Sequence, residues 1–345
     1  MLLPTTVVGS YALPGWLCQA EEAIQQGRFG NADIEELRHD AVLAAVHDQE
    51  AAGVDEITDG EVGRLDFNLG FYSAFTGLRP VPAGRRWGAP GHDQRPRYEI
   101  EGVLGAPNGL GVVDEFRYLK SIARPRIKAT VPGPFTLSGR LIPNSRYPSR
   151  REIAEALAEI VRRECLALVE AGAETIQLDE PSFACYPSGV REYVTLFNST
   201  VAGVQARIVT HLCFGNYKGR AVGRRSYRPL FPRILELKAD QFLLEFAGRE
   251  MAEADLWKEF AAEKELAAGV VDVKSYYIET PADVAGKIRR LLEFVPAERL
   301  WITADCGFSQ TARWAAAAKL RHMVAGARLV REELEGTRAS RHPAP

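Results

Sequence analysis

Eight short runs rich in apolar and β-branched residues punctuate the chain, at positions 5–10, 56–61, 126–132, 175–181, 207–213, 241–247, 266–275 and 300–306. Between them the apolar residues fall three and four apart, the spacing that lines one face of a helix. Strands alternating with helices in this way pack as a parallel sheet with the helices outside it. Eight repeats predict an α/β chain folded as a (β/α)8 TIM barrel, one domain over residues 1–335.

The clearest helix start is Ser149-Arg150-Arg151-Glu152, which reads as a capping box satisfying orphan backbone N–H groups. Ile153, Leu157, Ile160 and Leu168 then share a face, and Gly172 is placed to end the helix. Similar patterns predict helices over 32–52, 281–294 and 311–334. Residues 78–111 interrupt the rhythm, because Pro82, Gly84, Gly88, Pro90, Gly91 and Pro96 surround two strand-like runs. That pattern predicts a hairpin inserted after the second strand, on the loop face where barrel active sites lie, and so placed to act as a lid. Residues 336–345, rich in Arg, Ser, Pro and Ala, read as a disordered tail.

Composition narrows the partners. A formal net charge of −2, with 26% charged and 46% hydrophobic residues, gives no broad attraction to nucleic acid or membrane. A small-molecule substrate is the default. The first residues lack the basic-then-apolar order of an export signal, and no run approaches the roughly 18 apolar residues of a membrane span. Five cysteines, an odd number, suit a reducing compartment where thiols bind metal better than a disulfide framework. The expectation is a cytoplasmic enzyme.

Candidate chemistry gathers at the ends of the predicted strands. His211 and Cys213 stand two apart at the end of the fifth run, and side chains at i and i+2 of a strand point the same way. Glu245 stands near the end of the sixth run and Cys306 ends the eighth, so all four would open at the C-terminal mouth of the barrel. An imidazole, two thiolates and a carboxylate suit zinc rather than calcium or magnesium. An isolated His-x-Cys is a weak signal, and the convergence of the other two positions gives it weight. Cys165 falls mid-helix as a core residue, while Cys18 and Cys185 read as loop residues without a partner.

Six segments together carry a resemblance. Thr5-Thr6-Val7-Val8-Gly9-Ser10, Asp59-Gly60-Glu61, Gly133-Pro134-Phe135-Thr136, Gln177-Leu178-Asp179-Glu180-Pro181, His211-Leu212-Cys213 and Asp305-Cys306-Gly307 resemble, in order, the catalytic barrel of cobalamin-independent methionine synthase. The resemblance is to the short, core form, without the second barrel of the long enzymes. It implies that zinc on His211, Cys213, Glu245 and Cys306 takes the sulfur of homocysteine. It implies also that Gly9, Ser10, Glu61 and Asp179 grip the amino-acid end, carboxylates pairing with the ammonium and backbone donors with the carboxylate.

Two departures fall on the methyl-donor side. The long enzymes carry a histidine in a Tyr-Asp-Ile-His-Ser-type stretch, assigned as the acid that helps activate methyltetrahydrofolate, and the matching Val271-Asp272-Val273-Lys274-Ser275 has Lys274 there. A lysine donates a proton well near neutral pH only if desolvation lowers its pKa. Arg140 stands about where the long enzymes have a tryptophan against the pterin. The expected activity is zinc-dependent methyl transfer to homocysteine from methyltetrahydrofolate or a methyl-corrinoid carrier protein. Lys274 and Asp179 are the candidate catalytic groups, with Tyr276 or Tyr277 near the leaving group. An enzyme similar to epoxyalkane:coenzyme M transferase is the alternative, although a sulfonate thiol would want cations where Glu61 and Asp179 stand. A barrel reduced to binding would leave the ligand set unexplained, as would a decarboxylase similar to the uroporphyrinogen enzymes.

Overall fold

In a computed structural model, which describes residues 1–64, 69–81, 96–216, 220–260 and 262–341, the predicted strands pair around a ring. Ala129–Pro132, Thr175–Asp179, Arg207–Leu212, Gln241–Glu245, Glu265–Val271 and Leu300–Ala304 are hydrogen-bonded in that order, every pair parallel. Shorter contacts complete the round. Thr5 bridges Ile302, Thr6 bridges Glu56, and Glu56–Ile57 pairs with Arg126–Ile127, which Lys128 alone separates from Ala129–Pro132. The first run therefore supplies two bridging residues rather than a full strand.

The two-residue period of a strand sorts side chains to the two faces of the sheet. Val8, Val209, Leu243, Ala267 and Trp301 pack as a cluster of their own inside the barrel. Their neighbours Ile208, Phe242, Leu244, Leu266 and Ile302 join the larger core between sheet and helices. Following the inward positions toward the strand ends leads from Gln177 to Asp179, from Val209 to His211 and Cys213, and from Leu243 to Glu245. A packed apolar floor thus underlies a polar mouth.

The helices bear out the amphipathic reading. Arg150–Glu170 buries Ile153, Leu157 and Leu168 completely, worth about 1.5–3 kcal/mol per side chain. The Ser149 hydroxyl accepts from the Glu152 amide and donates to the Glu152 carboxylate at 2.6 Å, a variant of the expected box. Gly172 takes φ +88°, the left-handed turn that leaves the helix. The other predicted helices are Asn31–Ala52, Pro281–Leu291 and Arg313–Arg341, joined by Gly15–Gln25, Val112–Ile122 and Val190–Thr200. The helix Arg313–Arg341 runs into the segment expected as a tail. Residues 336–341 are helical because a single glycine, Gly336, costs only about 1 kcal/mol and no proline follows before Pro343. Residues 342–345 lie outside the described residues.

The insertion is a hairpin, Thr76–Val81 antiparallel to Arg97–Gly105, beginning two residues earlier than expected; residues 82–95 lie outside the described residues. Leu141–Ile142, from the loop after the third barrel strand, adds a parallel third strand too short to show in the sequence. Asn144 donates to the Ile100 carbonyl at 2.7 Å, and Tyr72 stacks on Tyr98 at 4.5 Å. Those contacts tie the hairpin strand Arg97–Gly105 to neighbouring segments of the chain. Among the described residues no helix is long and apolar enough to cross a membrane.

Candidate metal and thiol site

The fifth and eighth strands bring His211, Cys213 and Cys306 together, with ligand atoms all within 4.8 Å of one another. The two sulfurs stand 3.8 Å apart. His211 and Cys213 are each 3% exposed, yet among the described residues neither ring nitrogen of His211 has a hydrogen-bond partner. Buried imidazole nitrogens without partners are costly in a folded core. Cys306 is pulled well below the usual thiol range, chiefly by Cys213 and then, against the penalty of burial, by His211 and Lys274. An orphaned imidazole beside a sulfur that favours its thiolate form fits a thiophilic cation such as zinc.

Glu245 lies beside this trio and outside it. Its Oε2 accepts from the Lys274 ammonium at 2.6 Å and from the Phe214 amide at 3.4 Å, whereas its buried Oε1 has no hydrogen-bond partner among the described residues. Lys274 is held above the ordinary lysine range: burial opposes its charge, but Glu245, Cys306 and Cys213 more than offset that. The structure thus puts Lys274 against the candidate ligands as an ammonium. Tyr276 is fully exposed, and Tyr277 turns its hydroxyl to Asp283 at 2.7 Å. Arg140 lies by the hairpin, its carbonyl accepting from the Tyr98 amide.

The residues expected to hold an amino acid lie near the trio. Asp179 pairs in register with His211 and accepts from Gln177 Nε2 at 2.7 Å. Burial, then the nearby Glu61 charge, pushes Asp179 up to about 7 against the pull of His211. Ser10 donates to Glu61 Oε2 through a short hydrogen bond, and Glu61 sits at φ +54°, an uncommon backbone for a residue with a side chain. Gly9 is needed for clearance, since a Cβ there would stand 2.4 Å from Glu61 Oε1.

Several positioning groups escaped the sequence reading. Asp305 accepts from the amides of Phe246, Ala247 and Gly248 at 2.9, 2.8 and 2.6 Å, tying the strand end of Glu245 to that of Cys306. Gly269 makes room for it, because a Cβ would meet Asp305 Oδ1 at 2.3 Å. Glu180 accepts from the Phe135 and Thr136 amides, both at 2.9 Å, and so caps the short helix Pro134–Ser138. The Gly-Pro-Phe-Thr and Asp-Glu-Pro segments are thus two halves of one contact. Arg64, buried beside Glu61, gave no signal because a lone arginine in a loop carries no periodicity. Cys165 is core as expected. Cys18 and Cys185 lie in the helices Gly15–Gln25 and Pro181–Cys185 rather than in loops, and the Cys185 sulfur is 3.9 Å from the Cys213 carbonyl oxygen.

Comparison with known proteins agrees with this geometry. Residues 3–329 match the family described as the cobalamin-independent synthase catalytic domain. The methionine synthase of Saccharolobus solfataricus is 36% identical over 335 residues, covering 97% of this chain and 96% of that protein. That of Sulfurisphaera tokodaii is 34% identical, covering 97% and 94%. A B12-independent methionine synthase from Shewanella sp. W3-18-1, solved in complex with selenomethionine, superposes with a TM-score of 0.83 at 25% identity, covering 97% of this chain and 100% of that one. The chain therefore belongs to the cobalamin-independent methionine synthase family, as a catalytic-domain enzyme of the methyltransferase class.

Proposed function

We propose that this chain transfers a methyl group to the thiol of homocysteine, giving methionine, at a zinc ion held by His211, Cys213 and Cys306 with Glu245 as the fourth ligand. The observation that carries the reading is the trio of ligand atoms, within 4.8 Å of one another, from buried His211 and Cys213 and half-buried Cys306, beside two carboxylates. Zinc supplies the charge that lets an aliphatic thiol ionise at neutral pH while remaining nucleophilic. The chain's own residues do the rest. Glu61 and Asp179 receive the substrate ammonium, the Gly9-Ser10 backbone receives its carboxylate, and the apolar floor of Val209, Leu243 and Trp301 keeps water from below. Holding the thiol at both ends fixes the line of attack on the methyl carbon.

Coenzyme M in place of homocysteine would set a sulfonate against Glu61 and Asp179, and the geometry disfavours it. On the donor side, Lys274 spends its ammonium on Glu245, which supports a donor whose leaving group needs no proton, a methyl-corrinoid, over methyltetrahydrofolate. The test is methionine formation with methyltetrahydrofolate, its polyglutamate and methylcobalamin, on protein assayed for about one zinc per chain. Methionine from at least one donor is expected, methylcobalamin first. Zinc-loaded protein that binds coenzyme M and not homocysteine would refute the reading.

A further inference from the structure

We propose that Arg64 is a positioning residue for the substrate ammonium, its anchored guanidinium holding the Glu61 carboxyl group toward the mouth of the barrel and favouring its charged form. This rests on the homocysteine reading above. Arg64 is fixed on three sides: Nε donates to Glu115 Oε2 at 2.7 Å, Nη2 donates to the Thr130 carbonyl at 3.0 Å, and the group lies 4.9 Å from the centre of the Phe71 ring. Its remaining nitrogen, Nη1, is buried without a hydrogen-bond partner among the described residues and stands 4.0 Å from Glu61 Oε1. A guanidinium anchored through two nitrogens presents the third at a set place, which lysine cannot imitate.

Glu61 needs such a neighbour. Burial pushes its carboxyl up from the ordinary range, Arg64 is the largest influence holding it down, and Ser10 and Thr130 assist while Asp59 opposes. The other charged groups around it are Asp179 and Lys128 on neighbouring strands and Glu115 on the helix Val112–Ile122. The Glu61 backbone is bent toward the site by Gly60, which has φ +73° and no room for a Cβ, standing against Tyr11 and Ala45. A carboxyl group set by its backbone, with an anchored arginine favouring its charged form, is placed to pair with an ammonium.

The test is the pH profile of the homocysteine KM on zinc-loaded protein. Glu115→Gln frees Arg64 from its stronger partner and should carry the acid limb to lower pH. Arg64→Met with Glu115→Gln, which keeps the buried charges balanced, should carry it upward and raise KM at pH 6.5 about tenfold, with recovery toward pH 9 and little change in kcat. If the double variant does not accumulate folded, the direction of the Glu115→Gln shift decides alone. Profiles that coincide with wild type overturn the role of Arg64 and leave the function standing. Wild-type protein that never binds homocysteine overturns both.

Discussion

Lys274 Nζ lies 2.6 Å from Glu245 Oε2, and both side chains are almost wholly out of water, at 7% and 0% exposure. A buried ion pair of this kind punishes the loss of one partner far more than the loss of both. Lys274→Met and Glu245→Gln should each destabilise the chelator-treated protein by about 3 kcal/mol, and the double variant by much less than their sum. Urea denaturation in a double-mutant cycle checks this. Additive effects would mean that the two side chains do not interact.

Much of this site was legible before any coordinates, for a geometric reason. His211 and Cys213 announce themselves by a spacing of two on a strand, and Glu245 and Cys306 by ending runs whose apolar character marks them as buried. Strand-end chemistry in a barrel has a period to betray it. What stayed hidden lacks one. Arg64 acts from a loop, Asp305 through three backbone amides, and Leu141–Ile142 as a two-residue strand. The role of Lys274 was obscured because sequence places it opposite a donor, and only the fold shows which carboxylate its amine meets.

Clearance at Gly9 tests the amino-acid grip separately from the metal. A methyl group there would stand 2.4 Å from Glu61 Oε1, so Gly9→Ala must push the carboxylate away. Homocysteine affinity should fall at least about tenfold, roughly 1.4 kcal/mol, with zinc content unchanged. Calorimetry and elemental analysis on the same preparation read both. Unaltered affinity would remove Glu61 from the substrate site.

Asp305 offers a complementary test from the metal side. Asparagine keeps one acceptor oxygen where the carboxylate serves three amides, and each buried N–H left unpaired costs about 1–3 kcal/mol. Asp305→Asn should lower stability and weaken zinc retention against a chelator, because the strand ends of Glu245 and Cys306 lose their tie. Wild-type retention in a destabilised variant would confine Asp305 to folding.

The buried amine of Lys128 makes stability depend on pH with a definite sign. Burial brings it down to about 8, against the pull of Glu56 and Asp179. Below that pH both the folded and unfolded chains carry its proton. Between about 8 and 10.4 the unfolded chain binds more protons, so stability rises with pH by up to about 1.4 kcal/mol per pH unit. The wild-type unfolding free energy minus that of Lys128→Met should climb across this window. A flat difference would mean that the amine is solvated in the fold.

The proposed zinc ion on His211, Cys213 and Cys306, with Glu245, is where the substrate sulfur would bind. Zinc-edge X-ray absorption on purified protein tests it most directly, since zinc–sulfur distances near about 2.3 Å separate cleanly from those to nitrogen and oxygen. Two sulfur neighbours are expected in the loaded protein and three once homocysteine is added. A spectrum unchanged by homocysteine, or a zinc ion without the two cysteine sulfurs, would contradict it.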